Sequence, residues 1–136
     1  MSIFIDTGPI VAFLNKNDQY HSFVVQEMRN YPPPFITCEA VITECFFLMS
    51  KLPNGVAKLI ELLETEHIHI NTVYRDYQSS IHQLIQNYSN VPMSLADACL
   101  VQMAGKVTNA SVFSLDSDFQ IYRLPDGSSI SLISPY

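Results

Sequence analysis

Five carboxylates in this chain could do chemistry together. Asp6 directly follows the apolar run Ile3 to Ile5, and Asp116 and Asp118 directly follow Val112 to Leu115. Glu44 lies inside VITECFFLM and Asp97 inside LADACLVQMA, and the nearest basic residues to these two are Lys51 and Lys106. A charged side chain among apolar residues is rarely buried unless it is paired or binds a metal. Two carboxylates about 4 Å apart repel by about 1 kcal/mol in water and about 4 at an effective dielectric of 20. Several such pairs would strain a domain whose total stability is about 5–15 kcal/mol. If the acids meet, they are either protonated or gathered around a cation. Oxygen ligands without histidine or thiolate suit Mg²⁺ or Mn²⁺ rather than zinc.

Each acid also has a purely structural reading. Asp6 can cap a helix beginning at Pro9. Ser94 and Asp97 have the spacing of a capping box. Asp116 can close an Asx-type turn. Glu44 has no capping role, but it can sit on a solvent-facing stripe of its helix.

The elements that must position these residues follow from hydrophobic spacing. Short apolar runs at Ile3 to Ile5, Phe35 to Thr37, Val112 to Leu115 and Ile130 to Ile133 read as strands, and the alternating stretch His67 to Val73 reads as another. Helical spacing covers Ile10 to Leu14, Tyr20 to Met28, Glu39 to Met49, Val56 to Leu63 and Tyr74 to Tyr88. Leu95 to Ala104 is small and apolar on all sides, which predicts a buried helix. Breaks fall at Asn15 to Asp18, Pro32-Pro33-Pro34, Pro53-Asn54-Gly55 and Asn90-Val91-Pro92. Strand–helix alternation with near-continuous apolar strands predicts one α/β domain over residues 1–136. Its short parallel sheet of four to five strands would be covered by helices on both faces, in three layers. In such sheets ligands bind beyond the carboxyl ends of the strands, near the switch in strand order. Asp6, Asp116 and Asp118 fall there.

The totals narrow the function. With 48% apolar and 15% charged residues among 136, the chain is neither a disordered tail nor a polar linker. A net charge of −6, from 7 basic and 13 acidic residues, repels nucleic acid on average. A nucleic-acid partner must therefore be held locally or through cations. Three cysteines, Cys38, Cys45 and Cys99, lack any CxxC spacing and point to core thiols in a reducing compartment. No signal peptide and no membrane span of about 18 residues is evident, so a cytoplasmic protein is expected. His67 and His69 alternate on one strand but lack a third zinc ligand.

The order FIDTGPIVAFLN, ITCEAVITECFFL, LADACLVQMA, VFSLDSDF resembles the PIN-domain family of metal-dependent ribonucleases, which includes the toxins of VapBC toxin–antitoxin pairs. The resemblance covers the chain from Ile3 to about Ile133, and its specificity lies in four pieces in this order and separation. It places the family's acids on Asp6, Glu44, Asp97 and Asp116, with Asp118 at a further acidic position. Thr7 and Ser114 would support them, Ser114 standing where threonine is commoner. Gly8 replaces the serine often found after Asp-Thr, so a supporting hydroxyl is missing there. The resemblance implies Mg²⁺- or Mn²⁺-dependent hydrolysis of RNA phosphodiester bonds. One cation, or two about 3.5–4 Å apart, can deprotonate water, hold the phosphate and steady the leaving oxygen. Cations would also turn an acidic cleft into one that binds phosphate. On the same footing a small antitoxin protein or a second copy of the chain is an expected partner. The alternative is a PIN-like scaffold that binds RNA or protein without cutting. A signalling receiver fits poorly, since Asp6 is followed by Thr7 and Ile130 to Pro135 holds no lysine. An aspartyl phosphatase would need an acid where Gly8 stands.

Overall fold

A computed structural model describes residues 1–136. Its strands are short and its order is regular: β1 (Ser2–Ile5), α1 (Thr7–Leu14), α2 (His21–Arg29), β2 (Phe35–Cys38), α3 (Glu39–Met49), α4 (Gly55–Leu63), β3 (Ile68–Asn71), α5 (Gln78–Asn87), α6 (Leu95–Gly105), β4 (Ala110–Phe113) and β5 (Leu132–Ile133). The five strands form one parallel sheet in the order β3-β2-β1-β4-β5. Ile3, Phe4 and Ile5 are buried together, as a strand covered on both faces requires. α6 lies against β1, β2 and β4 with α5 packed on it, while α1 packs with α2, α3 and α4. This is the three-layer α/β architecture that the strand–helix alternation predicts.

The sheet places its switch in strand order between β1 and β4. The chain leaves β1 toward β2 on one side and returns to β4 on the other. At their carboxyl ends Ile5 stands in register with Phe113, and the Asp6 amide donates to the Phe113 carbonyl at 2.9 Å. The residues that follow these two strands are therefore neighbours by backbone geometry alone.

Several boundaries differ from the expected ones, each for a local reason. β4 ends at Phe113 rather than Leu115, because the Ser114 hydroxyl turns to bind Asp6 and accept from the Asp116 amide. α5 begins at Gln78, not Tyr74; the residues between form a turn closed by the Tyr77 amide on the Tyr74 carbonyl. A 3₁₀ turn at Ser117–Gln120, invisible to apolar periodicity, buries Phe119 edge-on against Tyr122. That answers why a bulky apolar residue directly follows two acids: Phe119 anchors the turn that carries them. As expected, α6 is buried almost throughout, from Ala96 to Ala104. No helix is long and apolar enough to cross a membrane.

The α3–α4 corner closes on Gly55, where a β-carbon would stand 1.9 Å from the Met49 carbonyl oxygen. Backbone on one side and helix on the other leave no room to relax. Gly55→Ala is therefore expected to destabilise the protein by about 1–3 kcal/mol. A urea midpoint lowered at unchanged slope would show it; an unchanged midpoint would refute the close approach.

Candidate active site

The site is built from the ends of β1 and β4, the first turns of α1 and α6 and the middle of α3. Asp6 is the N-cap of α1, with Oδ1 accepting from the Thr7 amide at 2.8 Å. Its Oδ2 accepts from the Ser114 hydroxyl at 2.7 Å. The Thr7 hydroxyl, one residue on, donates to Glu44 Oε2 at 2.8 Å across the α1–α3 interface. On the other side Ser114 Oγ accepts from the Asp116 amide at 3.0 Å, and Asp116 Oδ1 accepts from the Asp118 amide at 2.9 Å. One hydrogen-bonded line thus runs from Glu44 through Thr7, Asp6, Ser114 and Asp116 to Asp118.

Asp97 enters from the far wall. It closes a capping box with Ser94, whose hydroxyl accepts from the Asp97 amide at 3.0 Å. Asp97 Oδ2 accepts from the Ser94 amide at 3.3 Å and from the Tyr122 hydroxyl at 3.1 Å. Its Oδ1 takes part in neither bond. The structural readings of Asp6, Asp97 and Asp116 as caps and turn formers are therefore all realised, the helix that Asp6 caps beginning at Thr7 rather than at Pro9.

Asp6 and Asp97 are buried while Glu44 and Asp116 are exposed, so the acids span a gradient from floor to mouth. Burial, followed by the negative charges of Asp97 and Glu44, pushes the Asp6 carboxyl up to about 7, against the lowering effect of the Ser114 and Thr7 bonds. Burial likewise raises Asp97, helped by the charge of Asp116 and opposed by Ser94 and Tyr122. The Tyr122 phenol is raised by burial and by Asp97. Burial beside Asp6 and Glu44 pushes the Cys45 thiol up to about 12, which keeps it a protonated core residue.

As the side chains stand, no three His, Cys, Asp or Glu groups are gathered tightly enough to hold an ion. The acids lie near enough for Asp6 to feel the charges of Asp97 and Glu44, and Asp97 that of Asp116, without being drawn into a cage. The donor set nevertheless suits a hard divalent ion. It is all carboxylate, and Asp6 carries a charge that burial penalises. Glu44 Oε1, Asp97 Oδ1 and Asp116 Oδ2 stay outside the hydrogen bonds that orient their carboxylates. Mg²⁺ keeps several of its waters and needs only one or two direct carboxylates.

Tyr122 is the residue that sequence reasoning missed. It is fully buried, packs edge-on with Phe119 and Tyr88, and its hydroxyl fixes Asp97. The available signal was weak: a buried tyrosine hydroxyl usually finds a partner, but a partner 25 positions away leaves no local trace. Removing a hydrogen bond that orients a metal-binding carboxylate typically costs 10–100-fold in metal affinity or activity. With Asp97 in the role of a cation ligand, Tyr122→Phe is expected to lower Mn²⁺ affinity by calorimetry about tenfold or more, with the fold kept. Equal Mn²⁺ affinity would show that Asp97 needs no such support.

A family model of the PIN domain matches residues 3–124. The chain belongs to the PIN-domain family. Among curated proteins none matches the sequence as a relative. Solved structures do match this PIN domain in fold. A sarcin–ricin-loop-cleaving VapC toxin of Mycobacterium tuberculosis is 20% identical with a TM-score of 0.67, covering 83% of this chain and 90% of its own. A VapBC complex of Rickettsia felis bound to a DNA fragment from its promoter is 16% identical with a TM-score of 0.67, covering 98% of each chain. A toxin–antitoxin complex from Klebsiella pneumoniae is 17% identical with a TM-score of 0.66, covering all of this chain and 98% of its own.

Proposed function

We propose that residues 1–136 form a single PIN domain that hydrolyses RNA phosphodiester bonds as a Mg²⁺- or Mn²⁺-dependent endoribonuclease. The reading extends to a cytoplasmic toxin partnered by a small antitoxin, with a second copy of the chain as a further partner. The observation that carries it is the buried Asp6 carboxyl, raised to about 7 and tied by hydrogen bonds to Ser114 and, through Thr7, to Glu44. Such an arrangement is costly as a mere cap and useful as a cation site. The antitoxin partner is supported by neighbours that are toxin–antitoxin complexes, and RNA as substrate by the neighbour that cleaves the sarcin–ricin loop.

In this reading Asp6 and Asp97 are the central ligands, and Asp116 and Asp118 hold the mouth of the site. Glu44 binds through water or orients the attacking water. Thr7 and Ser114 keep Glu44 and Asp6 in place. A bound divalent cation supplies charge neutralisation for the phosphate and acidity for water. The protein's own part is to hold the oxygens apart on separate elements, so that they close on an ion rather than on one another's protons.

A second reading, the non-catalytic PIN-like scaffold for RNA or protein, is favoured by one observation: the acids are not drawn tightly enough to hold an ion. A nuclease assay on structured and single-stranded RNA with Mg²⁺ or Mn²⁺ separates the two, comparing the native chain with Asp6→Asn and Asp97→Asn. Cleavage lost in both variants and in chelator supports the nuclease. Absence of cleavage on any RNA supports the scaffold, and undiminished cleavage in both variants exposes a contaminant.

A further inference from the structure

Along the same edge of the sheet, beyond β2 and β3, lies a groove of about 280 Å³ whose walls include Glu39, Thr43, Asn71, Tyr74, Arg75 and Leu95. It adjoins the acids through α3: Ala40, which also lines it, stands one helical turn before Glu44, whereas Leu95 and Cys99 line it from the face of α6 opposite Asp97. We infer that this groove receives a nucleobase of the RNA strand beside the scissile phosphate, with the neighbouring phosphate on Arg75; this rests on the RNA-cleaving reading above.

The chemistry of the walls selects that ligand. Tyr74 is 38% exposed, and its hydroxyl is tied to His82 Nε2 at 2.9 Å, so the ring is held in place before any ligand arrives. A pre-set aromatic face at the rim of a groove is a stacking platform for bases. Glu39 and Asn71 are acceptors suited to the N–H edges of a base, whereas Glu39 would repel a phosphate inside the groove. The phosphate must stay at the rim, where Arg75 offers a planar guanidinium. Basic groups are scarce in this chain: after Arg75 come only Lys106, which lies over the Tyr77 ring, and Arg123, whose Nη1 is committed to the carbonyls of Gln120, Ile121 and Tyr122 at 2.8–3.0 Å. Tyr74 and Arg75 therefore stand together on the wall of one groove at the same sheet edge as the acids, an aromatic face and a free cation side by side for one nucleotide.

The test is binding of a fluorescein-labelled single-stranded RNA of mixed sequence, followed by anisotropy with Mg²⁺, in an Asp6→Asn background that does not cut. Tyr74→Ala is expected to weaken binding about fivefold or more, and Tyr74→Phe to restore most of it. Arg75→Ala is expected to weaken binding and to reduce the slope of log affinity against log salt by about 0.7, the signature of one lost phosphate contact on a single strand. Lys58→Ala, remote from the groove, is expected to change neither slope nor Tyr74 dependence by more than the loss of one diffuse charge. Unchanged affinity in Tyr74→Ala and Arg75→Ala, or no measurable RNA binding by the parent, overturns the inference. Cleavage by the native chain is scored separately. If the native chain cuts but the groove variants bind as the parent does, the groove assignment falls and the nuclease stands. If the native chain never cuts but the variants lose affinity, the nuclease falls and the groove stands.

Discussion

Asp6→Asn is expected to make the metal-free protein more stable at pH 8 while removing the proposed cleavage of RNA. Asp6 is 7% exposed and feels the charges of Asp97 and Glu44, which together with burial hold its carboxyl near 7. At pH 8 without a cation it is largely ionised against that penalty. Asparagine is neutral and nearly the same shape. Its carbonyl can still accept from the Thr7 amide, and the Ser114 hydroxyl can turn to accept from the new amide. Part of the electrostatic cost disappears, and a gain of about 1–3 kcal/mol, several degrees in melting temperature, should follow. The same change removes a carboxylate that the proposed mechanism uses as a central ligand. Cation stabilisation of developing charge is worth several kcal/mol, so cleavage should fall about a thousandfold or more. A lower melting temperature with cleavage preserved would mark Asp6 as a helix cap and nothing else.

The second large effect is on pH. A folded-state carboxyl raised above its unfolded value binds a proton that the unfolded chain has already released, so stability falls as pH rises between the two values. For Asp6 that window runs from the ordinary 3.8 to about 7. Across it the loss amounts to at most about 4 kcal/mol. Asp97 is raised as well, which adds a loss of the same sign. In chelator, urea unfolding should therefore give a clearly more stable protein at pH 5 than at pH 8. Mn²⁺ should shrink the difference, because the ion takes the place of the proton, and its binding should release protons, detectable as a dependence of binding heat on buffer. A stability that is flat from pH 5 to 8 in chelator would show that Asp6 is far better solvated than its burial suggests.

Much of the fold was legible because the strands are short apolar runs and the helices begin at recognisable caps. The placement of Asp6 and Asp116 at adjacent strand ends followed from the rule about switch points, and α6 announced its burial by composition alone. What the sequence left open was whether each acid is a cap or a ligand. Ser94 and Asp97 show why: the capping box is real, and it also leaves Oδ1 of Asp97 outside every hydrogen bond that orients the carboxylate. The bond from Thr7 to Glu44 depends on how α1 and α3 pack, which no periodicity encodes. The 3₁₀ turn at Ser117–Gln120 was too short to show a period. The distance between the acids depends on side-chain rotation, and that is why a set of ligand types could be read while its failure to close on an ion as it stands could not.

At Gly8 a β-carbon would lie 3.3 Å from Cβ of Leu115, a contact that fits only if Leu115 gives by a few tenths of an ångström. Leu115 sits between Ser114 and Asp116, so any such shift is felt by the segment that joins Asp6 to Asp116. The two positions are thus coupled through one contact, and a smaller residue at 115 would make room for a side chain at 8.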